Sequence, residues 1–144
     1  MNTITRPHYT SATLAAGRTW RGDANWLFTE KKDGVFAVRE MFGAVFVGEQ
    51  MRGGEFFAFD VVDIDGQDLR KRPLRERWQA LQAFRSCGVQ IVPAGIGGEF
   101  LEHVLANGGE GIVAADLEAA YGLYADRVKC KRVETFDCRI VAMG

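Results

Sequence analysis

The sequence predicts an α+β fold: antiparallel β-sheets with helices packed on them. Three observations carry that prediction: short β-rich runs punctuated by turn dipeptides, a change to helical spacing after Pro73, and a return of short strand-like runs after Gly88. Trp26–Lys32, Val35–Arg39, Ala44–Glu49 and Glu55–Asp63 read as strands, separated by Asp33-Gly34, Phe42-Gly43 and Gly53-Gly54. Connections this short favour antiparallel hairpins, because parallel strands need long crossovers. Asp63-Ile64-Asp65-Gly66 looks faintly like a calcium loop, but the positions after it do not supply the ligands, so it reads as a hairpin turn. Pro73 suits the first turn of a helix, and Leu74, Trp78, Leu81 and Phe84 follow at helical spacing until Cys87-Gly88. A second helix is expected to carry Phe100, Leu101, Val104 and Leu105 and to stop at Asn107-Gly108-Gly109. Strands return at Gln90–Pro93, Gly111–Ala114, Arg127–Lys131 and Phe136–Met143. Residues 1–25 are mixed and polar with little periodicity; they read as an N-terminal segment of the same domain, whose core is 26–144.

At 144 residues the chain suits one domain, long enough to bury a core and too short for two. No apolar run approaches membrane-spanning length and no signal-peptide core opens the sequence, so the expected location is cytoplasmic, without a membrane partner. Cys87, Cys130 and Cys138 form no CxxC pair, and His8 and His103 are the two histidines; the set argues against zinc and fits reduced thiols. The net charge of −1 does not advertise a polyanion partner, so any nucleic acid would be held by a local patch.

The first chemically informative stretch is Thr29-Glu30-Lys31-Lys32-Asp33-Gly34. Alternation along a strand would point Lys31 and Asp33 together and Lys32 away. A lysine nucleophile must be neutral to attack, although its ordinary pKa is about 10.4. Gly34 would permit a turn just after it and let a bulky ligand approach. Taken alone, KxDG reads more readily as a charged hairpin end. Further along stand Gly48-Glu49, the run Phe56 to Gly66 leading through Asp68-Leu69-Arg70 into Pro73-Leu74-Arg75-Glu76-Arg77, then Glu110-Gly111-Ile112-Val113, and finally Lys129-Cys130-Lys131.

In that order the chain resembles the nucleotidyltransferase core of ATP-dependent polynucleotide ligases, most closely the DNA ligases. The likeness spans roughly residues 26–143: KxDG at Lys31, Asp33 and Gly34, the Gly-Glu strand end, the aromatic-Asp strand and helix start over Phe59 to Arg77, EGIV at Glu110 to Val113, and KxK at Lys129 and Lys131. The resemblance implies a minimal ligase-type adenylation domain in which Lys31 forms lysyl-AMP, passes AMP to a 5′-phosphate end, and the end is sealed to a 3′-hydroxyl. It implies ATP and Mg²⁺ (or Mn²⁺), with Phe59 stacked on adenine, Glu49 on the ribose hydroxyls, and Glu30 at the adenine edge. Glu110 and Asp33 would place the metal, while Lys129 and Lys131, on one strand face, would reach the α-phosphate. The expected partner is nicked or broken nucleic acid, DNA over RNA, and the expected state a monomer.

The pattern also departs from the family. Phe36 stands where an arginine usually follows KxDG, with Arg39 as the candidate substitute, and the serine-arginine motif before the aromatic-Asp strand is missing. Ala115 replaces a lysine after EGIVA, and Val128 a tryptophan before KxK. The oligonucleotide-binding domain that usually follows, with its pyrophosphate-orienting motif, is not present before Gly144, so a partner domain or chain is expected to supply it. The rival readings are an RNA ligase of the same superfamily, a capping-type guanylyltransferase, and a degenerate core that binds nucleotide or nucleic acid without catalysis. Local alternatives remain as well: Phe59 as plain core, Lys129 and Lys131 as a solvated strand face, and Glu110 as a helix-to-strand turn. The cluster Arg70, Lys71, Arg72, Arg75 and Arg77 reads as a solvated helix start rather than a phosphate grip, His103 as a surface residue, and Cys130 as core-facing.

Overall fold

The computed structural model describes residues 4–7, 9–13, 26–95, 100, 103–104, 106–107, 111–122 and 127–131. Among the described residues two sheets are built from nine strands: β1 (Tyr9–Thr13), β2 (Trp26–Glu30), β3 (Val35–Met41), β4 (Ala44–Gln50), β5 (Phe56–Ile64), β6 (Gln67–Asp68), β7 (Ala94–Gly95), β8 (Gly111–Asp116) and β9 (Arg127–Lys131). The order is β1-β9-β8-β2-β7 in one sheet and β3-β4-β5-β6 in the other. Helix α1 (Leu74–Gln82) continues into a 3₁₀ turn over Ala83–Cys87, which Gly88 closes in the left-handed region at φ 90°. The α+β class is as expected, with strand content dominant among the described residues.

Within the four-stranded sheet the pairings are the antiparallel hairpins that short turns dictate. In the other sheet β2 pairs antiparallel with the distant β7 and β8, β8 with β9, and β1 runs parallel to β9, Tyr9 against Arg127 through Thr13 against Lys131. Sequence alternation cannot announce a partner more than a hundred residues away. The expected strand at Gln90–Pro93 is instead a bridging segment. Ala58 N donates to the Gln90 carbonyl at 2.8 Å and Val92 N to the Ala58 carbonyl at 3.0 Å, while Glu30 N donates to the Pro93 carbonyl at 2.9 Å. One stretch thereby ties β5 of one sheet to β2 of the other. The expected strand over residues 136–143 lies outside the described residues. So does much of the second helix, of which Phe100, His103, Val104 and Ala106 are helical.

The core forms where α1 wedges against both sheets. One cluster joins Phe46, Ala58, Val61, Leu81, Val89 and Ile91; a second joins Val45, Val47, Phe59, Val62, Val92 and Tyr121; a third joins Leu27, Leu74, Ala115 and Leu117. Trp78 packs against all three, so a single aromatic side chain bridges the layers. Along β5 the register with β4 skips Phe59 and Val62, a bulge at each. Each bulge shifts the phase of alternation by one, which is how Phe59 and Val62 reach the second cluster while Ala58 and Val61 reach the first. Opposite the first bulge, Gly48 has no room for a side chain, since a Cβ would sit 2.1 Å from the Phe57 carbonyl oxygen. Its glycine is a packing requirement, and it fixes where Glu49 emerges.

Two tight hairpins finish the four-stranded sheet. Phe42-Gly43 and Asp65-Gly66 each place both residues at positive φ, and Gly66 N donates to Asp63 Oδ1 at 2.9 Å. Asp63-Ile64-Asp65-Gly66 is thus the hairpin turn expected of it. Among the described residues no helix is long and apolar enough to cross a membrane.

Candidate active site

β2 delivers the reactive segment. It ends at Glu30, two residues short of the expected strand, and Lys31 N donates to the Gly111 carbonyl at 3.0 Å, anchoring the loop to the start of β8. Strand alternation therefore does not govern residues 31–33, and Lys31, Lys32 and Asp33 all border one cleft. Lys32 is held there by Glu30, Nζ to Oε1 2.9 Å, and sits 4.5 Å above the Phe57 ring. Gly34 also borders the cleft, and a Cβ there would lie 2.7 Å from the Gln50 carbonyl oxygen, so the glycine lets the loop close onto the end of β4.

The cleft brings together Glu30, Lys31, Asp33, Glu49, Phe59 and Lys129 from β2, the loop after it, β4, β5 and β9. Arg6, Thr29, Val92, Val113 and Arg127 complete its wall. Of the other sequence-predicted residues, Glu110 lies outside the described residues, and Lys131 pairs through its backbone with Gly111 while its side chain lies outside them too. Phe59 is 6% exposed and belongs to the core cluster, and it also borders the cleft.

Glu49 is the electrostatic centre. Burial pushes its carboxyl above the ordinary 4.5, opposed by the charges of Arg6, Lys31 and Lys129 and reinforced by Asp33. Its Oε2 is buried and finds no hydrogen-bond partner among the described residues. A buried acceptor needs a donor, so this oxygen is a point where a further hydrogen bond would be favourable. Below pH 4.5 the carboxyl is neutral folded or unfolded, and its burial costs nothing. As pH rises past 4.5 the unfolded chain ionises first, so stability falls until the raised folded value is reached and then levels off. Glu49→Gln is accordingly expected to be more stable than the wild type at pH 7 and equal to it at pH 4, with ATP affinity reduced on the order of ten-fold. Thermal midpoints at both pH values, with and without ATP, check all three.

A buried ion triad that sequence reading missed underlies the wall. Asp60 (0% exposed) accepts from Arg77 Nε at 2.9 Å, Arg77 Nη2 at 3.0 Å and Arg127 Nη2 at 2.6 Å, besides the Val61 amide at 2.8 Å. Arg77 also donates to the carbonyls of Arg72 and Ala119. The solvated helix start expected for the basic cluster is thus corrected for Arg77, which is 1% exposed. Arg70, Arg72 and Arg75 do sit at the surface, paired with Asp68, Glu76 and Glu118. Arg70 holds the Asp68 carboxyl down at about 2, but these solvent-exposed pairs add little to stability. Because the bulge sets Phe59 beside Asp60, Arg127 binds the carboxylate while its guanidinium lies 5.0 Å from the Phe59 ring centroid.

Among the described residues no three His, Cys, Asp or Glu side chains group closely enough to hold a metal by themselves. Mg²⁺ is commonly held by one or two carboxylates together with substrate phosphates, and Asp33, exposed at the cleft beside Glu49, fits that donor set.

No family model matches the chain. A probable DNA ligase of Kineococcus radiotolerans is 36% identical over 97 residues, covering 60% of this chain and 19% of that protein. A probable DNA ligase of Sorangium cellulosum is 35% identical over 58% of this chain and 17% of its own length. The multifunctional non-homologous end joining protein LigD of Mycolicibacterium smegmatis is 37% identical over 46% and 9%. The matched segment is therefore less than a fifth of each of these relatives. In fold, the chain superimposes on a mycobacterial DNA ligase D complexed with ATP and MES at TM-score 0.70, with 18% identity over 87% of this chain and 60% of that one. A Lig E DNA ligase gives 0.61, with 16% identity over 90% and 70%. In sequence the chain is thus similar, over 46–60% of its length, to proteins named as DNA ligases or LigD, and in fold it is similar to solved DNA ligases.

Proposed function

We propose that the chain is the catalytic core of an ATP-dependent DNA ligase, with Lys31 as the nucleophile. The observation that carries the reading is one cleft joining a lysine, an aromatic wall, several cations and a buried carboxylate oxygen that has no hydrogen-bond partner among the described residues. Each suits one part of ATP: Phe59 with Val92 and Val113 the base, Glu49 the ribose hydroxyls, and Lys31, Lys129 and Arg6 the phosphates.

Lys31 Nζ attacks the α-phosphorus. The P–N bond forms, the bond from that phosphorus to the bridging oxygen of the β-phosphate breaks, pyrophosphate leaves with the electron pair, and the amine proton passes to solvent. Lys129 stabilises negative charge developing on the α-phosphate oxygens, and Glu49 holds the ribose so that attack and departure stay in line. Lys131, on the same strand, is assigned with Lys129. Asp33, joined by Glu110, would hold Mg²⁺, which neutralises phosphate charge when bound. A DNA 5′-phosphate oxygen then displaces Lys31 from AMP, and a 3′-hydroxyl displaces AMP to close the backbone. The preference for DNA rests on the relatives named DNA ligases.

The test is joining of a nicked duplex by the full chain with ATP and Mg²⁺, read on a denaturing gel. A nick in an RNA strand and a nick already carrying AMP run alongside. Sealing of the DNA nick with ATP is the expected result. Sealing of the RNA nick alone would move the activity to RNA ligase, and sealing of neither, by folded protein, would reject the ligase reading.

A further inference from the structure

Residues ahead of the first strand help to build the cleft. Ile4 packs on the cluster of Val45, Val47, Phe59, Val62, Val92 and Tyr121. The Thr5 carbonyl accepts a 2.8 Å hydrogen bond from the hydroxyl of buried Tyr121, and Pro7 is buried. Held between these contacts, Arg6 is exposed to solvent and borders the cleft together with Lys31, Glu49 and Lys129. Its position is therefore set by three neighbours, even though its side chain stands at the mouth.

Resting on the nucleotide reading above, we infer that Arg6 binds the β- and γ-phosphates of ATP, the pyrophosphate that leaves when Lys31 takes AMP. The polarity of the cleft supports this. Its apolar wall of Phe59, Val92 and Val113 takes the base, Lys31 must stand at the α-phosphorus, and the trailing phosphates then extend toward the open mouth where Arg6 stands. The planar guanidinium offers a fork of donors matched to phosphate oxygens, which a lysine reproduces only as a point charge. Arg6 acts on Glu49 together with Lys31 and Lys129, and all four residues border the one cleft. When the bond from the α-phosphorus to the bridging oxygen breaks, the negative charge gained by pyrophosphate is neutralised where Arg6 lies.

The experiment measures equilibrium binding of AMP and of α,β-methylene ATP, which Lys31 cannot cleave, to the full chain and to Arg6→Ala and Arg6→Lys. Arg6→Ala is expected to weaken the triphosphate analogue on the order of ten-fold or more and to leave AMP unchanged, with Arg6→Lys between. In parallel, Arg6→Ala slows self-adenylation from ATP but not the sealing of a nick that already carries AMP, since no pyrophosphate is present there. Equal losses for AMP and the analogue, equal slowing of both reactions, or no loss at all would overturn the assignment of Arg6 while leaving the nucleotide reading intact. Wild-type protein that binds neither nucleotide would overturn both. Should Arg6→Ala lower the thermal midpoint, Arg6→Lys carries the same comparison in a folded protein.

Discussion

Lys31→Ala is expected to abolish covalent AMP transfer to the protein and to lower nick joining from ATP by on the order of 10⁴-fold or more, the scale at which loss of a covalent nucleophile is felt. Arginine at this position should fare no better: it keeps the charge but cannot shed its proton to attack. The thermal midpoint should scarcely move, because Lys31 is only partly buried and lies on the loop between β2 and β3, outside the core clusters. Triphosphate binding should fall far less than turnover, since Arg6, Glu49, Phe59 and Lys129 still border the cleft. Sealing of a nick already carrying AMP should survive in the variant, because that step no longer needs the nucleophile. The combination of lost labelling, retained binding and retained final sealing separates a missing nucleophile from a damaged fold.

The second large effect falls on stability. Asp60→Asn leaves the guanidiniums of Arg77 and Arg127, at 1% and 2% exposure, facing a neutral amide in the interior. Removing one partner of a buried ion pair costs roughly 3–5 kcal/mol, because the remaining charge stays desolvated. At the usual few degrees per kcal/mol for a domain of this size, the thermal midpoint should drop by roughly 10–15 °C. The amide keeps one acceptor oxygen, so the four hydrogen bonds now reaching the carboxylate cannot all be satisfied. Function should be affected as well: Arg127 loses its charged partner Asp60, which weakens the hold on the cation lying over Phe59. Nucleotide affinity, measured below the melting range, should therefore fall more for Asp60→Asn than for Phe46→Leu, a core change on the helix side of the sheet.

What the sequence made legible was local. Turn dipeptides and strand runs placed β2 to β5 to within a residue or two, and Pro73 with Leu74, Trp78, Leu81 and Phe84 placed α1. The ordered motifs carried Lys31, Glu49, Phe59 and Lys129 into one cleft even though their elements are far apart in the chain. Arg77 was misread because its neighbours Arg70, Lys71, Arg72 and Arg75 suggested a solvated cluster. The signal to place it existed: Arg77 lies three residues after Leu74 and four before Leu81, on the apolar face of the helix. For Asp60 the signal was absent, because two bulges shift the alternation of β5 and no periodicity announces a bulge. Arg6 and the parallel pairing of β1 with β9 depend on contacts across most of the chain, which local patterns do not encode.

The most direct test of the account is incubation of the full chain with ATP labelled at the α-phosphate and Mg²⁺, followed by a denaturing gel, with Lys31→Ala and labelled GTP alongside. The account predicts a covalently labelled wild-type band, no band for Lys31→Ala and no band with GTP. Folded wild-type protein that takes no label from ATP, or Lys31→Ala that labels as strongly as the wild type, would contradict it.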